Sequence, residues 1–270
     1  MKAFAPHAAT GALVAATNSV VRYGAPDSEI LFLVHCGGGH AGWWTEVIPH
    51  LANDYAVITI DLSGHGDSVW RESYSPEAWA SEIRDVLDEL GLSRPITLVG
   101  HSMGGLVGIY FAATYPDRLK QLILIDPPVQ HVELRDVPVR AKCYTSPDSA
   151  LTRFNLRPPE TIAPDERLRE IGRQGLRQES EGWRWKYDPR ASQRFTVPGV
   201  AGKLAKVICP IACIYGERSQ YVDADTVHYI ETLVEHPIEA RVIAGAYHHV
   251  PLDAPQDVAC AIRDVATTAA

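Results

Sequence analysis

Short apolar runs alternate with stretches of helical spacing along most of the chain. Ile30-Leu31-Phe32-Leu33-Val34 and Tyr55-Ala56-Val57-Ile58-Thr59-Ile60 are unbroken β-prone runs, ended by Cys36-Gly37-Gly38-Gly39 and Asp61-Leu62-Ser63-Gly64. Both predict buried strands. Between them Trp43, Trp44, Val47, Ile48 and Leu51 recur at helical spacing. Ser75-Pro76-Glu77 gives a cap residue, a proline suited to the first helical position and an acid near the positive end of the helix dipole. That helix continues through Trp79, Ile83, Val86, Leu87 and Leu90 until Gly91 stops it.

The rhythm then repeats. Ile96 to Val99 leads through Gly100 into a helical stretch from Met103 to Tyr115, and Leu119 to Ile125 is a further strand closed by Asp126-Pro127-Pro128. Val207 to Tyr215 and Ile238 to Ile243 supply two late strands, with helices around Asp225 to Val234 and Gln256 to Val265, and Asn18 to Tyr23 predicts an early antiparallel edge. Alternation of this kind predicts an α/β fold, a mostly parallel sheet with helices on both faces. The pattern lapses over residues 131–200, which hold many prolines and no long β-prone run. They are expected to form a helical lid inserted into a core made of residues 1–130 and 201–270.

Charge sharpens that division. The whole chain carries a formal net charge of −8. Residues 131–200 hold 11 Arg and 2 Lys against 10 acids, a net +3 that leaves −11 for the rest. The acidic balance argues against a nucleic-acid partner, since phosphate binding depends on Lys and Arg. The basic insertion reads either as a solvated surface or as a cover that attracts anionic small molecules. Cys36, Cys143, Cys209, Cys213 and Cys260 are odd in number and never form a C-x-x-C pair, which points to a reducing, cytoplasmic compartment and away from zinc. No run of 18 or more apolar residues predicts a membrane span, and the stretch Ala12 to Val21, broken by Thr17, Asn18 and Ser19, is a poor secretion signal.

Gly100-His101-Ser102-Met103-Gly104 stands between a predicted strand and a predicted helix. A tight strand-to-helix turn strains its central residue and requires small residues two positions away on either side, so that the Ser102 hydroxyl is pushed clear of the backbone. The helix N-terminus that follows directs free N–H groups toward the same place, where an oxyanion would be stabilised. Ser102 is therefore the candidate nucleophile.

With this elbow the chain resembles the α/β-hydrolase family, and two other segments extend the likeness. His35-Cys36-Gly37-Gly38 is similar to the family's oxyanion loop, and Asp61-Leu62-Ser63-Gly64-His65-Gly66-Asp67-Ser68 to its D-x-x-G-x-G-x-S segment. The resemblance implies an eight-stranded, mostly parallel sheet, a lid after the sixth strand and no cofactor. It implies oxyanion donors at the backbone N–H groups of Gly37 and Met103, beside Cys36 and Gly38. Cys36 replaces a customary glycine, so its backbone should avoid positive φ, and its thiol, with no evident base partner, should pack inertly.

Family order also requires an acid and then a histidine. Gly245-Ala246-Tyr247-His248-His249 is similar to the family's G-x-x-H segment and designates His248, rather than His249, as the base. In most relatives the acid follows the seventh strand as G-x-x-D, where this chain reads Gly216-Glu217-Arg218-Ser219. Asp126, at the end of the sixth strand, is the acid designated instead; Glu217, Asp223 and Asp225 are the alternatives, and Asp126 as a simple turn residue is the bland reading. His35, His40, His65 and His101 could suggest a metal, but they lie on a glycine-rich loop or inside family motifs, so no metal is expected. Trp43 and Trp44 read as core, and Trp183-Arg184-Trp185-Lys186-Tyr187 as a half-exposed stretch over the pocket.

The function implied is a serine hydrolase of small carboxylic esters acting through an acyl-enzyme. Two alternatives are cleavage of C–C, amide or lactone bonds by the same three residues, and a non-catalytic ligand-binding protein on the same fold.

Overall fold

The structure, a computed structural model, describes residues 11–14, 17–131, 142–192, 195–234 and 236–268. Ten strands are present among the described residues: β1 (Gly11–Val14), β2 (Ser19–Tyr23), β3 (Ile30–Val34), β4 (Ala56–Ile60), β5 (Ile96–His101), β6 (Leu119–Ile125), β7 (Leu176–Glu179), β8 (Gly182–Trp185), β9 (Ile211–Gly216) and β10 (Glu239–Ile243). The helices are α1 (Ile48–Leu51), α2 (Pro76–Glu89), α3 (Met103–Thr114), α4 (Pro147–Leu151), α5 (Asp165–Gln174), α6 (Val197–Leu204), α7 (Ala224–Val234), α8 (Val250–Asp253) and α9 (Pro255–Thr268).

Eight strands form one sheet in the order β1-β2-β4-β3-β5-β6-β9-β10. β2 pairs antiparallel with β1 and β4, and every other pairing is parallel. The unbroken apolar runs follow from burial on both faces. In β3, Ile30, Phe32 and Val34 enter one core with residues of α2, α3, α6 and α7, while Leu31 and Leu33 enter a second with residues of α1 and α9. Successive side chains point to opposite faces, so a strand between two cores must be apolar at every position. The start of α2 is capped as the sequence suggests: Ser75 Oγ accepts from Ala78 N at 3.1 Å, and Gly91 takes φ +65° just past the end. Trp43 to Leu51 is not one helix. A 3₁₀ turn over Ala41–Trp44 is followed by the short α1, because Pro49 has no N–H to continue a ladder.

Between β6 and β9 the chain leaves the sheet. The described part of this excursion holds α4, α5, the antiparallel hairpin β7–β8 and α6, so it is mixed rather than wholly helical. Its Trp183 and Trp185 face Gln178 and Leu176 across the hairpin. The boundary expected at residue 200 falls inside α6, which packs on α3. Arg135, Arg140 and Arg194 lie outside the described residues. Several of the other cations are paired: Arg167 with Glu46, Lys186 with Asp67, Arg177 and Arg184 with Glu179, and Arg190 with Asp188. Two of these partners, Glu46 and Asp67, lie outside the insertion and offset part of its basic surplus. Asp188 also ties the excursion to the sheet domain, its N–H donating to Gly64 O at 2.8 Å and its carboxylate accepting from Tyr74 OH at 2.7 Å.

Candidate active site

Ser102 lies between the end of β5 and the start of α3 with φ 53° and ψ −116°. A β-carbon at Gly100 would stand 2.3 Å from Gly104 O, and one at Gly104 would stand 2.4 Å from Val34 O. Only glycines allow the chain to turn so sharply against β3. Ser102 N donates to Ile125 O at 2.8 Å, which fixes the turn to β6, and the side chain remains half-buried at the strand ends.

Asp126 is fully buried one strand away, with φ 47°. Its N–H donates to Ile214 O at 2.8 Å. Its carboxylate accepts three hydrogen bonds: Gly216 N to Oδ2 at 3.1 Å, and Ser219 Oγ and His248 Nδ1 to Oδ1, each at 2.7 Å. The other ring nitrogen of His248, Nε2, lies 3.0 Å from Ser102 Oγ. A carboxylate facing Nδ1 holds the proton there and leaves the Nε2 lone pair turned to the serine hydroxyl. Ser102, His248 and Asp126 therefore form one hydrogen-bonded chain, with the loop before α8 supplying the histidine.

The remaining candidates divide. Gly37 is exposed, and a β-carbon there would stand 3.6 Å from Met103 Cβ, so the two residues flank the same space beside Ser102. Met103 opens α3, where an N–H has no intrahelical partner. Gly38 takes φ +71° in the turn closed by Gly39 N on Cys36 O at 3.1 Å. Cys36 avoids positive φ and is buried in a small cluster with Trp43, Leu156, Ala163, Ile171 and Leu252, where burial pushes its thiol up. Of the alternative acids, Glu217 accepts from Gly245 N at 2.7 Å, Asp223 caps α7 by accepting from Thr226 N at 2.8 Å, and Asp225 is exposed in the first turn of α7. His35 is engaged at both ring nitrogens by the Cys36 carbonyl and Leu62 N–H, and His40 by Gly42 N–H and the Ile171 carbonyl.

Two participants escaped the sequence reading. Ser219, noted there only for lacking a carboxylate, donates to the carboxylate of Asp126 while its oxygen accepts from Tyr221 N at 3.1 Å and Val222 N at 3.2 Å. These two acceptances leave its proton directed at Asp126. Tyr221 sets its ring edge-to-face against His248, centroids 4.7 Å apart at 84°, and His131 lies 5.7 Å beyond it. A G-x-x-S sequence carries no signal that its serine serves a carboxylate on another strand.

Residues 29–145 match the family model described as alpha/beta hydrolase fold. Over 264 residues, 93% of this chain and 86% of the relative, the chain is 29% identical to the esterase Rv0045c of Mycobacterium tuberculosis (strain ATCC 25618 / H37Rv). The crystal structure of that esterase superposes with a TM-score of 0.81 at 27% identity, covering 95% of this chain and 90% of the other. The crystal structure of E-2-(acetamidomethylene)succinate hydrolase shares the fold, with a TM-score of 0.78 at 22% identity over 93% of this chain and 95% of that one. By its matched segment, its strand order and these likenesses, the chain has the α/β-hydrolase fold.

Proposed function

We propose that this chain hydrolyses carboxylic esters of small molecules through a covalent acyl-enzyme. The observation that carries the reading is the continuous hydrogen-bonded line from Asp126 through His248 to Ser102. The similarity to an esterase over most of the chain supports the choice of bond.

Ser102 Oγ attacks the acyl carbonyl and gives its proton to His248 Nε2, and Asp126 stabilises the imidazolium so formed. Charge developing on the carbonyl oxygen meets the backbone N–H groups of Gly37 and Met103; each such donor is worth about 3 kcal/mol in the transition state. The tetrahedral adduct collapses, the C–O bond breaks, and the leaving alkoxide takes the proton from His248. Water then attacks the acyl-enzyme, His248 accepts its proton, and the carboxylic acid departs with the Ser102 hydroxyl restored. Ser219 acts as a positioning residue that holds the Asp126 carboxylate square to the imidazole. Residues 131–200 serve as the lid over this site, and the five unpaired thiols fit a cytoplasmic setting.

Turnover of short-chain p-nitrophenyl esters by the unmodified protein and by Ser102→Ala tests the reading. The variant is expected to lose activity on the order of 10⁶-fold, to near background, and to escape labelling by a fluorophosphonate that modifies the parent. Full retention of ester turnover in the variant overturns it.

A further inference from the structure

The loop that carries His248 is closed at its far end by a buried carboxylate that the chemistry above does not use. Asp253 ends α8, and its Oδ2 accepts from Tyr247 N at 2.8 Å, so the backbone one residue before His248 is tied to the end of the loop. The other oxygen, Oδ1, accepts from Ile162 N at 3.0 Å and from the Thr161 hydroxyl. Thr161 Oγ1 itself accepts from Ala163 N at 3.0 Å, which leaves its proton directed at Asp253. One carboxylate, served by neutral donors, thus joins the loop of the base to the excursion between β6 and β9.

The grip is wider than that one residue. His249 Nε2 lies 2.7 Å from the Pro158 carbonyl oxygen, and because a carbonyl only accepts, the ring donates. Arg167, paired with Glu46, donates to the carbonyl of Leu252. The sheet domain holds the same loop from its own strand ends, with Arg218 N donating to Ala246 O at 2.9 Å and His101 Nε2 to His248 O at 2.9 Å. His248 is therefore fixed to the sheet through its own carbonyl, and to the excursion through the residues that follow it. Its ring has to meet Asp126 at 2.7 Å and Ser102 at 3.0 Å together. A misplacement of about 1 Å in such a line costs about 10²-fold in rate.

We infer that Asp253 is a positioning residue for His248, through which residues 158–167 of the excursion set the reach of the imidazole to Ser102. The excursion is then part of the support of the base and not only a cover. A change at Thr161, whose hydrogen bonds go to Asp253 and Ala163, is felt in the proton transfer. The inference rests on the reading of His248 as the base for Ser102, but not on which bond is cleaved.

The test measures two quantities on one preparation. One is the rate at which a fluorophosphonate labels Ser102, which needs the base but no particular substrate; the other is kcat and KM on a p-nitrophenyl ester. In Asp253→Asn the side chain keeps its shape but has a single acceptor oxygen, so either Tyr247 N or the Thr161 and Ile162 donors face an amide N–H. Labelling rate and kcat are expected to fall about 10- to 100-fold with KM unchanged. Thr161→Val should lose about three- to tenfold in both, and Thr161→Ser, which keeps the hydroxyl, should recover it. Added to Asp253→Asn, Thr161→Val should cost less than about twofold more, as expected when two residues act through one contact. Additive losses overturn the proposal, and so do variants that lower only the thermal midpoint and label at the parental rate per folded molecule. Thr161→Val labelling at the parental rate overturns it alone, with no need for Asp253→Asn to fold. A parent that labels and turns over no ester removes the ester reading instead, and the labelling rates still judge Asp253.

Discussion

The carboxyl ends of β5 and β6 are neighbours in the sheet, and each carries a non-glycine residue in the left-handed region, Ser102 at φ 53° and Asp126 at φ 47°. Such conformations cost roughly 1–3 kcal/mol and persist only where the surroundings enforce them. The enforcement differs. At the β5 end it is largely local, because Gly100 and Gly104 remove the two β-carbons that would collide and α3 begins at once. At the β6 end it comes from β9 and the loop beyond it, through Ile214 O, Gly216 N and Ser219 Oγ. One end is a self-contained turn. The other is assembled across a strand pair whose partners are 90 residues apart in the chain.

If the β6 end exists to hold a charge, removing the charge while keeping the shape should be the most damaging change after loss of the serine. Asp126→Asn is expected to lower kcat about 10⁴-fold with little effect on KM, since the amide no longer fixes the proton on His248 Nδ1. Steady-state kinetics on an activated ester checks this, with circular dichroism confirming an unchanged fold. A loss below about tenfold would mean that the β6 end has no electrostatic part in the reaction.

The local end breaks by sterics instead. Gly104→Ala gains about 1 kcal/mol of helix propensity, but its new β-carbon meets Val34 O at 2.4 Å and His35 O at 2.6 Å. Overpacking against backbone costs about 1–3 kcal/mol, so the steric term is expected to prevail. The thermal midpoint should fall by about 2–8 °C. Turnover should fall about 10- to 100-fold as α3, and Met103 with it, moves away from Gly37. Thermal unfolding and kcat measured on one preparation test both. A variant as stable as the parent would show that the elbow is less constrained than its contacts require.

The contrast explains what could be read in advance. The central strands were legible because burial between two cores forces an unbroken apolar run, as in β3. The elbow was legible because its steric needs fall within five residues, Gly100 to Gly104. Asp126 was designated with three alternatives left open, since nothing near Pro127 and Pro128 reveals that β9 will present Gly216 and Ser219 to it. The hairpin β7–β8 was missed for another reason. Trp183-Arg184-Trp185 does alternate, but four-residue strands are too short for alternation to outweigh the prolines and arginines around them. Pairing partners 90 or more positions away are invisible to any window of local pattern.

Ser219 offers the mildest and most discriminating change, because it touches the β6 end without touching the reacting atoms. Ser219→Ala removes one donor from a buried carboxylate that keeps Gly216 N and His248 Nδ1, and leaves Tyr221 N and Val222 N without their acceptor. A hydrogen bond to a charged group contributes about 1.5–3 kcal/mol, part of which relaxation of the loop and entering water will recover. The expected loss is about tenfold in kcat at unchanged KM. Ser219→Thr, which retains the hydroxyl, should recover most of it. A purely structural role would instead lower the thermal midpoint and leave kcat per folded molecule unaltered in both variants. If alanine and threonine both leave kcat intact, Asp126 is held well enough by the backbone of β9 alone, and the two strand ends differ only in where their strain is relieved.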